Sequence, residues 1–209
     1  MTTRLLIATN NKGKRREIQA ILGPTHLDVE LVLPADVGLH LDVDETGSTY
    51  AENAALKAEA FCRLSGLLTL ADDSGLEVEA LGNEPGIRSA RYAPWPGATD
   101  ADRRHYLLEK LTASGAPRPW AARFRCTIAL AAPGRPLQYA EGVCPGQIIS
   151  EERGSNGFGY DPIFWMPELG CTMAELSEEH KNQLSHRARA LAAALPVLEM
   201  LIEKAGKRE

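Results

Sequence analysis

The chain has 209 residues, 44% of them hydrophobic and 24% charged, proportions that exclude collagen, coiled coil and extended disorder. A chain of this length can bury roughly 70% of the surface it exposes when unfolded, so a core forms without metal or disulfide staples. The formal net charge of −5 argues against a protein that coats nucleic acid by bulk attraction; a polyanion bound here needs a local pocket and, with it, a cation.

Taken in chain order, the apolar run Arg4–Ala8 predicts a buried strand, followed at once by the polar loop TNNKGK. Ile18, Ile21 and Leu22 then recur at helical spacing, and Leu27–Leu33 alternates like a second strand. Strand, polar loop, helix, strand is the opening of an α/β fold. Thr49–Leu64 reads as a helix capped by Thr49 with Glu52 three residues on. Leu67–Ala71 reads as a short strand ending at Asp72-Asp73-Ser74-Gly75, and proline-rich 83–98 as an irregular connection. A helix over Thr99–Thr112 follows, then a hairpin of Arg123–Ala131 and Leu137–Val143 around Pro133-Gly134. A glycine-rich loop spans Gly154–Pro162, and a helix runs from Leu184 to Glu203, interrupted at Pro196 and ending in charge. No repeat and no linker appears, so residues 1–209 are expected to be one domain.

Cys62, Cys126, Cys144 and Cys171 form no Cys-x-x-Cys or Cys/His cluster, which excludes a structural zinc site and reads as free thiols of a reducing compartment. There is no signal-peptide pattern and no run near the ~20 apolar residues of a membrane span. The expectation is a soluble cytoplasmic protein with no membrane or nucleic-acid partner.

Five segments carry chemistry. Thr9, Asn10, Asn11, Lys12, Gly13 and Lys14 lie between a strand and a helix, where unpaired backbone N–H groups and the helix dipole favour phosphate. This is not a Walker A loop, because Arg15 stands where Ser or Thr is required. Asp72-Asp73-Ser74-Gly75 places two carboxylates on opposite faces of a strand, with Asp73 able to hold Mg²⁺ or activate water. Asp44-Glu45-Thr46-Gly47 offers a second carboxylate ahead of a helix. In Gly157-Phe158-Gly159-Tyr160-Asp161 an aromatic between glycines can lie flat against a base. Finally, Lys181, His186 and Arg187 add a point charge and a donor fork near a helix start. Each segment alone also reads as an ordinary turn or cap.

In order along the chain, TNNKGK, DETGSTYAENAALKA, LADDSGLEV, PGIRSARYA, GFGYDPIF and HKNQLSHRARAL run from about Leu5 to Leu191. Together they resemble the inosine triphosphate pyrophosphatase family, the noncanonical purine nucleoside triphosphate pyrophosphatases or XTP/dITP diphosphatases. That resemblance implies an elongated α/β fold, a mixed β-sheet with flanking helices and two lobes around a central nucleotide cleft, usually as a homodimer. It also implies Mg²⁺-dependent hydrolysis of ITP, dITP and XTP to the monophosphate and pyrophosphate. By the same resemblance, Thr9 through Lys14 hold phosphate, Asp73 is proton acceptor and metal ligand, and Ser74 contacts substrate. Asp44 matches the second metal ligand, where the family pattern has glutamate, which leaves Glu45 as the alternative. Phe158, Gly159, Tyr160, Asp161, Lys181, His186 and Arg187 match the base contacts, so Arg187→Ala would be expected to raise KM for ITP more than it alters activity on ATP. A nucleotide sensor without turnover and an ATP-dependent phosphotransferase are the other classes to which such segments point.

Overall fold

The computed structural model of the chain describes residues 2–206; the charged end expected at Lys207, Arg208 and Glu209 lies outside them. Strand β1 (Thr3–Ile7) leads into helix α1 (Lys12–Leu22). Asn11 caps α1, its side chain accepting the Lys14 N–H at 3.0 Å. After β2 (Val29–Val32), helix α2 (Tyr50–Ser65) starts at the expected cap: the Thr49 hydroxyl accepts the Glu52 N–H at 3.1 Å. The Glu52 carboxylate in turn takes the Ser48 N–H at 2.6 Å.

Strand β3 (Leu68–Val78) corrects the expected end at Ala71: it runs on through Asp72, Asp73, Ser74 and Gly75. A carboxylate breaks a strand only when its charge must seek water, and both carboxylates here are met by cationic side chains inside the protein. The connection expected to be irregular contains β4 (Glu84–Pro85) and a 3-10 turn over Gly86–Arg91. Helix α3 (Asp100–Ala113) has a full capping box between Thr99 and Asp102. Strands β5 (Trp120–Ala131), β6 (Gln138–Ile148), β7 (Phe164–Met166) and β8 (Cys171–Thr172) follow. Helices α4 (Glu178–Leu184) and α5 (His186–Gly206) complete the chain. α5 continues through Pro196 instead of breaking there, because the turns around it are held by buried Leu191, Ala194 and Leu198.

The described residues form two compact units, and the chain passes from one to the other inside β3, β5 and β6 and between His186 and Arg187. In the first unit β1 pairs in parallel with β2 and β3, with Leu5 opposite both Leu31 and Leu68. One face of this sheet, through Leu5, Ile7, Leu70, Ile128 and Leu130, packs on Ile18 and Leu22 of α1 and on Leu191, Ala194 and Leu198 of α5. The opposite face, through Leu6, Ala8, Ala71 and Ala129, packs on Ala54, Ala58 and Phe61 of α2. Covering both faces explains why LLIA is continuously apolar and LLTLA is so but for the buried Thr69, instead of alternating.

The second unit gathers Leu76, Val78, Leu107, Leu111, Phe124, Ile148 and Phe164 into a single core. Here β4 on β3, β7 on β6 and β8 on β7 pair antiparallel, so the fold is mixed α/β. All four cysteines are free and three are buried; burial first, and then the charge of Asp72, push the Cys126 thiol up to about 12. Among the described residues no helix is long and apolar enough to cross a membrane.

Leu70 is fully buried in the face that meets α1 and α5. Leu70→Ala should cost about 2–5 kcal/mol in urea unfolding, whereas Leu64→Ala, at a site 55% exposed, should change stability by less than about 0.5 kcal/mol.

Candidate active site

The alternation of β3 organises the first unit's polar cluster. Leu68 and Leu70 face α1 and α5, and so does Asp72; Ala71 faces α2, and so does Asp73. The two adjacent carboxylates therefore acquire separate sets of partners.

On the first face, Asp72 is fully buried and accepts from Arg187 Nε at 3.2 Å and Nη2 at 3.0 Å. Lys14 Nζ lies 3.2 Å from the same oxygen, and the third guanidinium nitrogen of Arg187 donates to Glu17 on α1. Burial alone would raise the Asp72 carboxyl, but Lys14, Arg187 and Lys57 outweigh it and hold the group well below the usual carboxylate range. Asp72 is thus a permanently ionised anchor for Lys14. The loop that carries Lys14 is tied locally: the Asn11 N–H donates to Thr9 Oγ1 at 3.2 Å, and Asn10 Nδ2 to the Leu41 carbonyl at 3.1 Å. Lys12 is exposed and Gly13 half-buried, and α1 has no acidic residue in its first turn to offset the dipole.

On the second face, Asn53 of α2 donates Nδ2 to Asp73 Oδ2 at 3.2 Å and accepts the Gly47 N–H at 2.8 Å. Lys57, one turn further along α2, bonds Glu45 Oε1 at 2.6 Å and lies 3.9 Å from Asp73 Oδ1. Here burial wins: it raises the Asp73 carboxyl, Lys14, Lys57 and Asn53 pull it down, and Glu45 adds to the rise. Glu45 is therefore the acidic neighbour of Asp73, while the side chain of Asp44 is exposed. Gly47 is required by close approach, since a Cβ there would come within 2.7 Å of Asn53 Oδ1.

Asp73 and Glu45 fit a hard divalent cation in donor type. Among the described residues no group of three or more His, Cys, Asp or Glu gathers as a metal cage. Mg²⁺ uses one or two carboxylates and completes its shell with water and phosphate, which is what two acidic oxygen donors provide.

In the second unit, Phe158 to Asp161 form a tight loop. Asp161 is 3% exposed and Lys181 4%. Asp161 Oδ2 accepts from Lys181 Nζ at 2.5 Å and from the Phe158 N–H at 2.8 Å. Lys181 Nζ also stands 4.8 Å from the centre of the Phe158 ring. Gly157, at φ +76°, admits no side chain, because a Cβ would lie 2.1 Å from Asp161 Oδ2. Tyr160 is buried and donates its hydroxyl to the Ser89 carbonyl at 2.9 Å; burial raises its phenol. His186 stacks on Phe124 with ring centroids 4.8 Å apart. Ser74 is half-buried, at the point where β3 enters this unit.

Of the residues expected from sequence, the first unit brings together Thr9–Lys14 and Asp73, and the second brings together Phe158, Gly159, Tyr160, Asp161 and Lys181. Arg187 has its guanidinium on Asp72 and Glu17. Sequence reasoning passed over Asn53 and Lys57. Their signal was two polar residues four apart on the Ala54/Ala58 side of an alanine-rich helix, a side otherwise destined for burial. It also passed over Glu17, and over Asp100 and Arg104 of α3, which bond the Gly159 backbone.

This is the fold and donor set of a nucleotide-handling α/β protein, and the comparisons give it a family. The Ham1 family matches residues 5–197. The dITP/XTP pyrophosphatase of Geobacillus kaustophilus is 47% identical over 208 residues, covering 98% of each chain. That of Nostoc is 44% identical, covering 99% of this chain and 100% of its own. The solved structure of a HAM1 protein from Coxiella burnetii superposes with a TM-score of 0.85 at 40% identity, covering 95% of this chain and 99% of that one. The chain belongs to the Ham1 family.

Arg187→Ala would leave Asp72 and Glu17 buried without their shared countercharge. It should cost about 3–5 kcal/mol in urea unfolding; a loss below about 1 kcal/mol would mean that Lys14 alone compensates Asp72.

Proposed function

We propose that this protein hydrolyses noncanonical purine nucleoside triphosphates, ITP, dITP and XTP, to the nucleoside monophosphate and pyrophosphate, clearing deaminated purines from the cytoplasmic nucleotide pool. Family membership and the activity named for the Geobacillus and Nostoc relatives support the reaction. The single observation that carries it in this chain is the split of β3, where ionised Asp72 anchors Lys14 on one face and buried Asp73 stands beside Asn53, Lys57 and Glu45 on the other.

A triphosphate brings about four negative charges into a net-acidic protein, so they must be met locally. The N-terminus of α1, Thr9 to Gly13 and Lys14 take phosphate oxygens by backbone N–H donation and point charge. Asp73 and Glu45 are the residues to hold Mg²⁺, with Asp44 the more exposed alternative. When bound, the ion neutralises phosphate charge and polarises the phosphoryl oxygens. Asp73 is the general base: its carboxylate orients a water molecule and takes its proton as the water oxygen joins phosphorus and the α–β anhydride bond breaks, releasing pyrophosphate. Asn53 fixes the rotamer of Asp73 by its hydrogen bond to Oδ2.

The second unit supplies the base-reading residues in this reading. Phe158 offers the stacking face, with Asp161 and Lys181 against it, and Gly159, Tyr160 and His186 are the further residues assigned to the base. A purine with oxygen at position 6 accepts hydrogen bonds there; adenine presents a donor, leaving buried groups unpaired at about 1–3 kcal/mol each. The active form is taken to be a homodimer.

Pyrophosphate release from ITP, XTP, dITP, GTP and ATP with Mg²⁺ tests the reading. The first three should turn over fast and the last two slowly. Asp73→Asn should cut turnover by about a hundredfold or more. Orthophosphate as product would overturn the assigned bond, tight binding without turnover would point to a sensor, and near-normal turnover by Asp73→Asn would remove the base.

A further inference from the structure

The loop around Phe158 is built to be held from outside. Gly159 sits at φ +63° with open space around the position of a Cβ; nothing about its own packing selects one backbone conformation. Two side chains of α3 do so instead. Asp100 Oδ2 accepts the Gly159 N–H at 2.8 Å, and Arg104 Nη1 donates to the Gly159 carbonyl at 2.8 Å. These two bonds lie on different peptide planes, the N–H on the plane shared with Phe158 and the carbonyl on the plane shared with Tyr160. Because each plane is rigid and trans, fixing one polar group fixes the direction of the other. Asp100, together with the Asp161 N–H that donates to the Phe158 carbonyl, thereby sets where that carbonyl points, and Arg104 sets where the Tyr160 N–H points.

Both clamps are braced. Arg104 grips Glu152 with two further bonds of 2.8 Å, from Nε and Nη2. The other oxygen of Asp100 is paired with Arg103, whose Nη1 donates to the Ala98 carbonyl at 2.7 Å. The loop's other anchors are the Asp161 carboxylate on the Phe158 N–H, Ser89 on the Tyr160 hydroxyl and, within the turn, the Asp161 N–H on the Phe158 carbonyl at 3.3 Å. The Phe158–Gly159 plane is thus shared between that turn bond and Asp100, and Arg104 holds the Gly159–Tyr160 plane.

We propose that Asp100 and Arg104 are positioning residues for base selection: by pinning both peptide planes of Gly159 they point the backbone donor and acceptor of the Phe158–Tyr160 segment, and so set the discrimination between 6-oxo and 6-amino purines. The proposal rests on the reading of this loop as the base contact. A glycine released from either clamp regains the widest torsional range of any residue, so its loop can turn its polar groups to suit adenine as well as hypoxanthine. Neither residue touches the first unit's carboxylate cluster, so hydrolysis of a nucleotide once seated is unaffected.

The experiment compares kcat/KM for ITP and ATP, with thermal midpoints, in Asp100→Ala, Arg104→Met and Arg104→Lys, with Phe158→Ala alongside. Asp100→Ala and Arg104→Met should each lower the ITP-to-ATP ratio about tenfold, on the scale of one misdirected hydrogen bond, through KM and with kcat for ITP within about threefold. Arg104→Lys, which keeps a donor for the Gly159 carbonyl, should restore most of the ratio. An unchanged ratio, or an equal fall on both nucleotides, overturns the proposal; if Phe158→Ala still lowers the ratio in that case, the base reading of the loop stands without it. If Phe158→Ala also leaves the ratio unchanged, the base reading fails and the proposal falls with it. Should Arg104→Met not fold, Asp100→Ala decides by the same criterion.

Discussion

Two successive carboxylates on a strand covered by helices on both faces must point in opposite directions, and each must find its own countercharge inside the protein. Burying an ion costs several kcal/mol after relaxation, so Asp72 and Asp73 dictate what the surrounding helices carry. Toward Asp72, α1 brings Lys14 and α5 brings Arg187, with Glu17 balancing the second positive charge. Toward Asp73, α2 brings Asn53 and Lys57, and Lys57 draws in Glu45. The packing of three helices on the sheet is in this sense subordinate to one pair of charges.

The two faces are unequal, and the inequality is functional in form. Asp72 has more positive charge around it than it needs and stays ionised; Asp73 has less and is pushed toward protonation by burial and by Glu45. The same residue type is thus held ionised on one face and pushed toward protonation on the other by environment alone.

The second unit solves a different problem with the opposite material. Its loop is rich in glycine, so shape comes from contacts made to the backbone and not from side-chain packing. Gly157 is forced by the proximity of Asp161 Oδ2, which the buried Lys181 neutralises. Gly159 is sterically unconstrained and is oriented by α3, a helix that begins at the Thr99–Asp102 capping box. The local signal that starts α3 also delivers Asp100 and Arg104 to the loop.

Much of this was legible in residues 1 to 209 taken alone. The strand–loop–helix opening, the cap at Thr49, the opposite orientation of Asp72 and Asp73 and the glycine loop all follow from periods of 2 and 3.6 residues and from short-range hydrogen bonding, which neighbouring residues determine. The length of β3, the continuity of α5 through Pro196, the choice of Glu45 over Asp44 as the neighbour of Asp73 and the engagement of Arg187 with Asp72 were decided only by tertiary structure. Arg187 and Asp72 lie 115 residues apart, and Asp100 reaches Gly159 across 59. A charge carries no periodicity that names its partner; which cation compensates which carboxylate is selected by burial, and burial exists only once the helices have packed.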